Sequence, residues 1–167
     1  MPLTTLIRAV VPRRWQETVF LRLWSLANVR LLWFVRPSVV ERTEEKVVVR
    51  IPLSRRTRNH LQSMYFGVLC AGADCAGGLL AMQLIEASGE RVSLIFKDFN
   101  ARFLKRAEGD VHFTCADGAS IANLVREAIR TGERQNATVH VTATVPSRSE
   151  GEPVAEFELT LSLKKRH

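Results

Sequence analysis

The sequence predicts an α+β domain in which a curved antiparallel sheet wraps one long helix, with a further helix ahead of it. Three observations lead there. Several segments alternate apolar and polar residues with the two-residue period of strands buried on one face. The stretch from about Phe66 to Glu86 does not alternate, holds no proline and is too long for a strand. That stretch is also thin, because Ala71, Gly72, Ala73, Ala76, Gly77, Gly78 and Ala81 line it with small side chains. Each glycine weakens a helix by about 1 kcal/mol relative to alanine, a cost that close approach of another backbone layer offsets. Long strands with one apolar face must cover something, and the thin helix is the only element long enough.

Residues 14–35 read as a helix. Arg14, Glu17, Thr18, Arg22, Ser25 and Asn28 gather on one side, and the rest is apolar, with Trp15, Phe20, Trp24, Trp33 and Phe34. Arg22 and Arg30 make a poor membrane span. Two readings stay open: the helix packs on the domain or on a partner subunit, or it lies on an anionic membrane surface with arginines at the headgroups. Pro37 ends it. Residues 1–38 are therefore expected to form a helical extension and residues 39–167 the main domain.

Residues 44–53 read as a strand with Val47, Val49, Ile51 and Leu53 on one face, followed by the basic loop "SRRTRN". After the central helix, residues 91–105 read as a strand bent near Lys97 and Asp98, and residues 110–116 as another. "SIANLVREAIRTG" is a short amphipathic helix closed by Gly132. Residues 137–145 and 154–164 alternate again across the hairpin loop "PSRSEGEP".

The 167 residues suit one domain with an appendage. The net charge is +7, carried by nineteen arginines and five lysines. Nucleic acid, anionic lipid or a phosphate-bearing small molecule such as coenzyme A could use that charge. No zinc-finger spacing or RNA-binding motif appears, so nucleic acid is not expected as a partner. Cys70, Cys75 and Cys115 fit no disulfide framework and read as small core residues in a reducing compartment. His60, His112, His140 and His167 show no metal spacing, so neither metal nor cofactor is expected. "LIRAVVP" near the start is broken by Arg8 and Pro12 and lacks the shape of a signal peptide, which leaves a cytoplasmic expectation, peripheral at the inner membrane surface if the first helix binds lipid.

One residue stands out. Residues 59–85 hold a single formal charge, Asp74. A buried, unpaired carboxylate is costly or shifts its pKa. Small-residue helices also occur in membranes, but Asp74 inside the run and alternating strands on both sides argue for a soluble fold.

This order of elements resembles the hotdog fold. The chain is most similar to acyl-CoA thioesterases of the phenylacetate-degradation type and, more narrowly, resembles a bacterial hotdog family without an assigned function. The resemblance covers roughly residues 40–165. Those thioesterases carry Asn-x-x-Gly-x-x-His-Gly-Gly, with an Asp nine positions after the His. Asn59 falls at the Asn, Tyr65 at the His, Gly67 at the last Gly and Asp74 at the Asp, while Gln62 and Phe66 replace glycines. A second family stretch, Asn-x-x-Phe-Leu-x-x-Ala-x-x-Gly-Asp, is matched by "NARFLKRAEGD", residues 100–110, with one residue fewer between the Ala and the Gly.

The resemblance implies hydrolysis of an acyl-CoA or acyl-carrier thioester by a homodimer, with a tetramer of paired dimers as a further expectation. Asp74 would be base or nucleophile, Gly67 at the helix start would offer its N–H to the carbonyl, Asn59 would position water or thioester, and Tyr65 would donate a hydrogen bond. Arg55, Arg56 and Arg58 would hold coenzyme A phosphates. The residues leave alternatives open: Asp74 as a structural carboxylate, Asn59 as a turn residue, Gly67 as packing, the arginines as solvated charges, and the whole as a non-catalytic acyl-binding protein.

Overall fold

The structure, a computed structural model, describes residues 11–148 and 151–166. His167, most of the "LIRAVVP" run and part of the "PSRSEGEP" loop lie outside the described residues. The elements are α1 (Arg13–Asn28), α2 (Arg30–Val35), β1 (Ser38–Arg42), β2 (Val47–Ile51), α3 (Phe66–Ser88), β3 (Val92–Phe103), β4 (Val111–Cys115), α4 (Gly118–Thr131), β5 (Gln135–Thr144) and β6 (Pro153–Lys165).

The six strands form one sheet in the order β1-β2-β4-β5-β6-β3, every neighbour antiparallel. The sheet packs against α3, whose residues from Val68 to Ala81 are mostly buried. Val47, Val49 and Ile51 of β2, Val139 and Val141 of β5, and Phe157, Leu159, Leu161 and Leu163 of β6 point into this core. Alternation in the sequence thus translates directly into inward faces, as expected for a sheet buried on one side. This is the hotdog fold, with additional helices at the N-terminal end.

Close approach explains part of the thinness of α3. A Cβ on Gly72 would stand 2.3–2.6 Å from three atoms of the Phe113 ring on β4, so only glycine fits there. At Gly77 a Cβ would meet nothing closer than 3.7 Å. α3 is long and apolar enough to cross a membrane by composition, but it is the core helix beneath the sheet.

Three details depart from the sequence reading. The helix expected over 14–35 breaks at Val29, which takes an extended φ of −139°. The Ser25 hydroxyl donates to the Leu21 carbonyl (2.7 Å) and the Asn28 amide to the Trp24 carbonyl (2.9 Å), and such bonds one turn back bend helices. β1 lies where the sequence shows no strand signal, because five residues after a proline carry too little alternation to read. The strand expected over 44–53 is shorter, with Thr43 and Lys46 closing a tight turn from β1. The bend expected near Lys97 and Asp98 is a register shift between Phe96 and Asp98 in the β3–β6 ladder.

Candidate active site

Asp74 sits in the middle of α3, on the wall of a cavity of about 640 Å³. One wall is α3 itself, with Cys75, Gly78, Leu79 and Met82. A second is the start of β3, with Val92, Leu94 and Phe96. The third is supplied by the N-terminal helices, through Phe20, Leu21, Trp24, Val29 and Leu32. The lining is overwhelmingly apolar, and the volume is that of a small-molecule site.

The Asp74 carboxylate is half-buried and has no hydrogen-bond or ion-pair partner among the described residues. Burial pushes its pKa up from the ordinary carboxylate range. Its neighbour Cys75 is fully inside the core, and burial together with the Asp74 charge pushes that thiol up to about 12. A thiol so hard to ionise is a poor nucleophile at neutral pH.

Arg42 reaches the cavity from β1. Its Nε donates to Gln83 Oε1 of α3 at 2.8 Å, and its Nη1 pairs with Glu17 of α1. Gln83 in turn donates to the Thr43 carbonyl at 3.1 Å. The chain Glu17–Arg42–Gln83 clips the first helix over the cavity. No periodicity or motif in the sequence distinguishes Arg42 or Gln83; they matter only because folding brings residues 17, 42 and 83 together.

The other residues expected at the site gather at the start of α3, away from the cavity lining. The Asn59 side-chain oxygen accepts from the N–H groups of Leu61 (2.9 Å) and Ser63 (3.3 Å) and from the Ser63 hydroxyl (3.3 Å). In this chain, then, Asn59 organises the turn into the helix. Gln62 in that turn has φ of 61°, the left-handed region that favours glycine. The resembling motif has glycine at this place, and here a glutamine side chain occupies that backbone conformation. Tyr65 precedes the helix, its ring lies over Gly67, and a Cβ on Gly67 would come within 2.6 Å of it. The N–H groups of Val68 and Leu69 donate to the Tyr65 carbonyl, whereas those of Phe66 and Gly67 have no acceptor among the described residues. Seven residues of helix, about 10 Å, separate Gly67 from Asp74.

Arg55, Arg56 and Arg58 are exposed on the loop between β2 and α3 and do not line the cavity; the Arg56 guanidinium lies 5.5 Å from the centre of the Phe34 ring. The second stretch that carries the resemblance is architectural. Asp110 accepts from Arg50 (2.5 and 2.9 Å) and from the N–H of Leu53 (2.8 Å), clamping the end of β2 to the start of β4. Burial is the largest single influence and pushes its carboxyl up, but the Arg50 and Leu53 bonds, with the Arg50 and His112 charges, together hold it below the usual range. The buried Ala107 accepts from the N–H of Met64 at 2.8 Å, and a Cβ on Gly109 would strike Val145. His140 is bonded to Asp117 through both its backbone N–H and its ring, away from the cavity. Among the described residues no cluster of His, Cys, Asp and Glu could hold a metal ion.

A six-stranded antiparallel sheet wrapped on one long helix defines a hotdog-fold protein. Within that class the chain belongs to the family named domain of unknown function DUF4442, whose model matches residues 24–163. Among solved structures it is similar to a Chlorobaculum tepidum protein of unknown function (TM-score 0.79, 14% identity, covering 92% of this chain and 97% of that one). A Pseudomonas aeruginosa protein of unknown function, called a probable thioesterase, superposes with a TM-score of 0.74 at 25% identity over 89% of this chain and 96% of that one. A Haemophilus influenzae thioesterase gives a TM-score of 0.64 at 18% identity over 86% and 88%. No curated protein matches the sequence.

Proposed function

We propose that this protein hydrolyses acyl thioesters, of coenzyme A or an acyl carrier, with Asp74 as the carboxylate that activates water. The observation that carries the reading is the unpartnered Asp74 on the wall of an apolar cavity large enough for an acyl chain. Thioesterases among the structural neighbours support it. Asp74 takes a proton from water while the water oxygen bonds to the thioester carbon. The carbonyl oxygen becomes an oxyanion, the C–S bond breaks, and the leaving thiolate receives the proton from Asp74. A carboxylate with a raised pKa is a stronger base once ionised.

The acting unit in this proposal is a homodimer. Within one chain the open N–H groups at the start of α3 and Asp74 are too far apart to serve one carbonyl, so a second copy has to bring one of them. β3 is an edge strand, and Phe99 and Phe103 on it are exposed beside Phe66, whose ring meets Phe103 at 6.0 Å. An unpaired edge carrying exposed aromatics suits pairing with another copy.

The test is thiol release from a series of acyl-CoAs by wild type and Asp74→Asn, with the dimer state of both measured. Turnover that collapses in a folded, dimeric variant supports the reading, and unchanged turnover overturns it. One observation favours a second reading, a non-catalytic acyl-binding protein: Asn59 is committed to its turn, and no donor among the described residues hydrogen-bonds Asp74. Lipid co-purifying with the protein, with no turnover at any chain length, would select it.

A further inference from the structure

The first helix turns the middle of its polar stripe inward: Thr18 is 3% exposed and Ser25 fully buried, beside the buried Leu21, while Glu17 and Asn28 at the edge of that stripe stay exposed. The Thr18 hydroxyl accepts from the N–H of Val39 (3.0 Å), and the half-buried Arg22 donates to the Pro37 carbonyl (3.0 Å). These bonds tie α1 to β1 by its polar side. Large apolar side chains are left outside on α2, where Leu31 is 58% exposed, Phe34 48% and Trp33 40%. Arg30 is one turn before Trp33 and Phe34 on the same helix and therefore shares their face. Arg36 follows them, and the Arg56 guanidinium over the Phe34 ring joins the loop arginines to the same patch. Residues 18–40 and 46–73 contain no Asp or Glu. Exposed aromatics are thus ringed by arginines with no carboxylate from either segment to neutralise them.

We infer that this face docks on an anionic lipid bilayer, with Leu31, Trp33 and Phe34 in the headgroup–acyl boundary and Arg30, Arg36, Arg55 and Arg56 on the lipid phosphates. Exposed apolar side chains beside basic ones are what a peripheral membrane contact requires. A second copy is the poorer occupant, because a two-fold contact through this patch sets arginine against arginine. The opposite face of the same helices walls the Asp74 cavity, so a docked protein holds that cavity one helix thickness from the bilayer. The inference does not depend on the thioesterase reading.

The experiment is co-sedimentation of the full-length protein with vesicles of phosphatidylcholine alone and of phosphatidylcholine with phosphatidylglycerol. Wild type is expected to bind the anionic vesicles and to release them at high salt. Each arginine near an anionic surface contributes about fivefold in affinity, so Arg55→Gln with Arg56→Gln should weaken binding roughly 30-fold. Trp33→Ser with Phe34→Ser should abolish it, while thermal unfolding stays near wild type because both side chains are exposed. Absence of vesicle binding, or binding that survives the aromatic substitutions, overturns the inference. So does a native oligomer that dissociates in the aromatic variant without any vesicle binding, which would assign the patch to a second copy. A large loss of stability in that variant with no vesicle binding by wild type would assign it to the chain's own first residues, and overturns it too.

Discussion

Gly78 offers a quantitative test of what the cavity holds. It lies on the cavity wall, and a Cβ there would stand 3.6 Å from the Phe96 ring, an ordinary contact. A longer side chain therefore grows into the cavity and not into the packed core. Gly78→Leu fills space that three or four methylenes of a long acyl chain would otherwise occupy. At about 0.8 kcal/mol per buried methylene, the loss for a long-chain substrate is about 2.4–3.2 kcal/mol. That corresponds to roughly a 100-fold drop in kcat/KM. Acetyl thioesters, too short to extend the one helical turn from Asp74 to Gly78, should be hydrolysed as before. The assay is kcat/KM across a ladder of acyl-CoA lengths for wild type and variant, with thermal unfolding as a control. Leucine is the better helix former, so the variant should fold. An equal loss at every length, or no loss at the longest, would refute the placement of the acyl chain along this wall.

Three further outcomes follow from the backbone and from burial. Gly72→Ala should destabilise by roughly 1–2 kcal/mol, overpacking against Phe113 outweighing the helix-propensity gain, whereas Gly77→Ala should stabilise by about 0.5–1 kcal/mol; urea unfolding of the two variants should give opposite signs. Gln62→Gly relieves a left-handed side-chain strain of about 1–2 kcal/mol, less the entropy glycine adds to the unfolded chain, and should raise stability by about 0.5–1 kcal/mol in the same measurement. Because the folded protein raises the Asp74 pKa, it binds that proton more tightly than the unfolded chain does. Wild-type stability should therefore fall as pH rises from the ordinary carboxylate range through the raised value. Asp74→Asn should lack that slope, as melting temperatures of the two proteins across acidic to neutral buffers will show.

Much of the fold was legible because its signals are local. Val139, Val141, Phe157, Leu159 and Leu161 alternate in the sequence and point inward in the sheet. Gly132 ends α4 with φ of +70°, as a glycine just past an amphipathic run should. Asp74 stood out for a similar reason, since one charge among 27 residues needs no tertiary knowledge to notice. The rest of the cavity was hidden because its walls come from three distant segments. Arg42 is one of nineteen arginines, and only the approach of Glu17 and Gln83 gives it a place. β1, at five residues, is too short to carry a legible alternation. Asn59 was marked by resemblance alone, and its hydrogen bonds show a turn residue, a role its position before a helix already allowed.

The first helix shows where periodicity stops being informative. A hydrophobic stripe states that a helix has two unlike faces, and the usual inference turns the apolar one inward. That inference assumes the domain beneath offers only apolar surface. Here the start of the sheet offers the N–H of Val39 and the carbonyl of Pro37, groups that a buried backbone must satisfy. Thr18 and Arg22 satisfy them, and the polar side of the helix is drawn inward as a result. Phe20, Leu21 and Trp24 still reach the cavity from the flank of that stripe, so the helix serves the site with one edge and leaves the side chains around the Val29 break facing out. An inverted helix sheds apolar surface to the outside, and a free chain gains nothing from that exposure. Its retention in a chain this basic is the physical reason to look for an anionic, partly apolar surface as the counterpart.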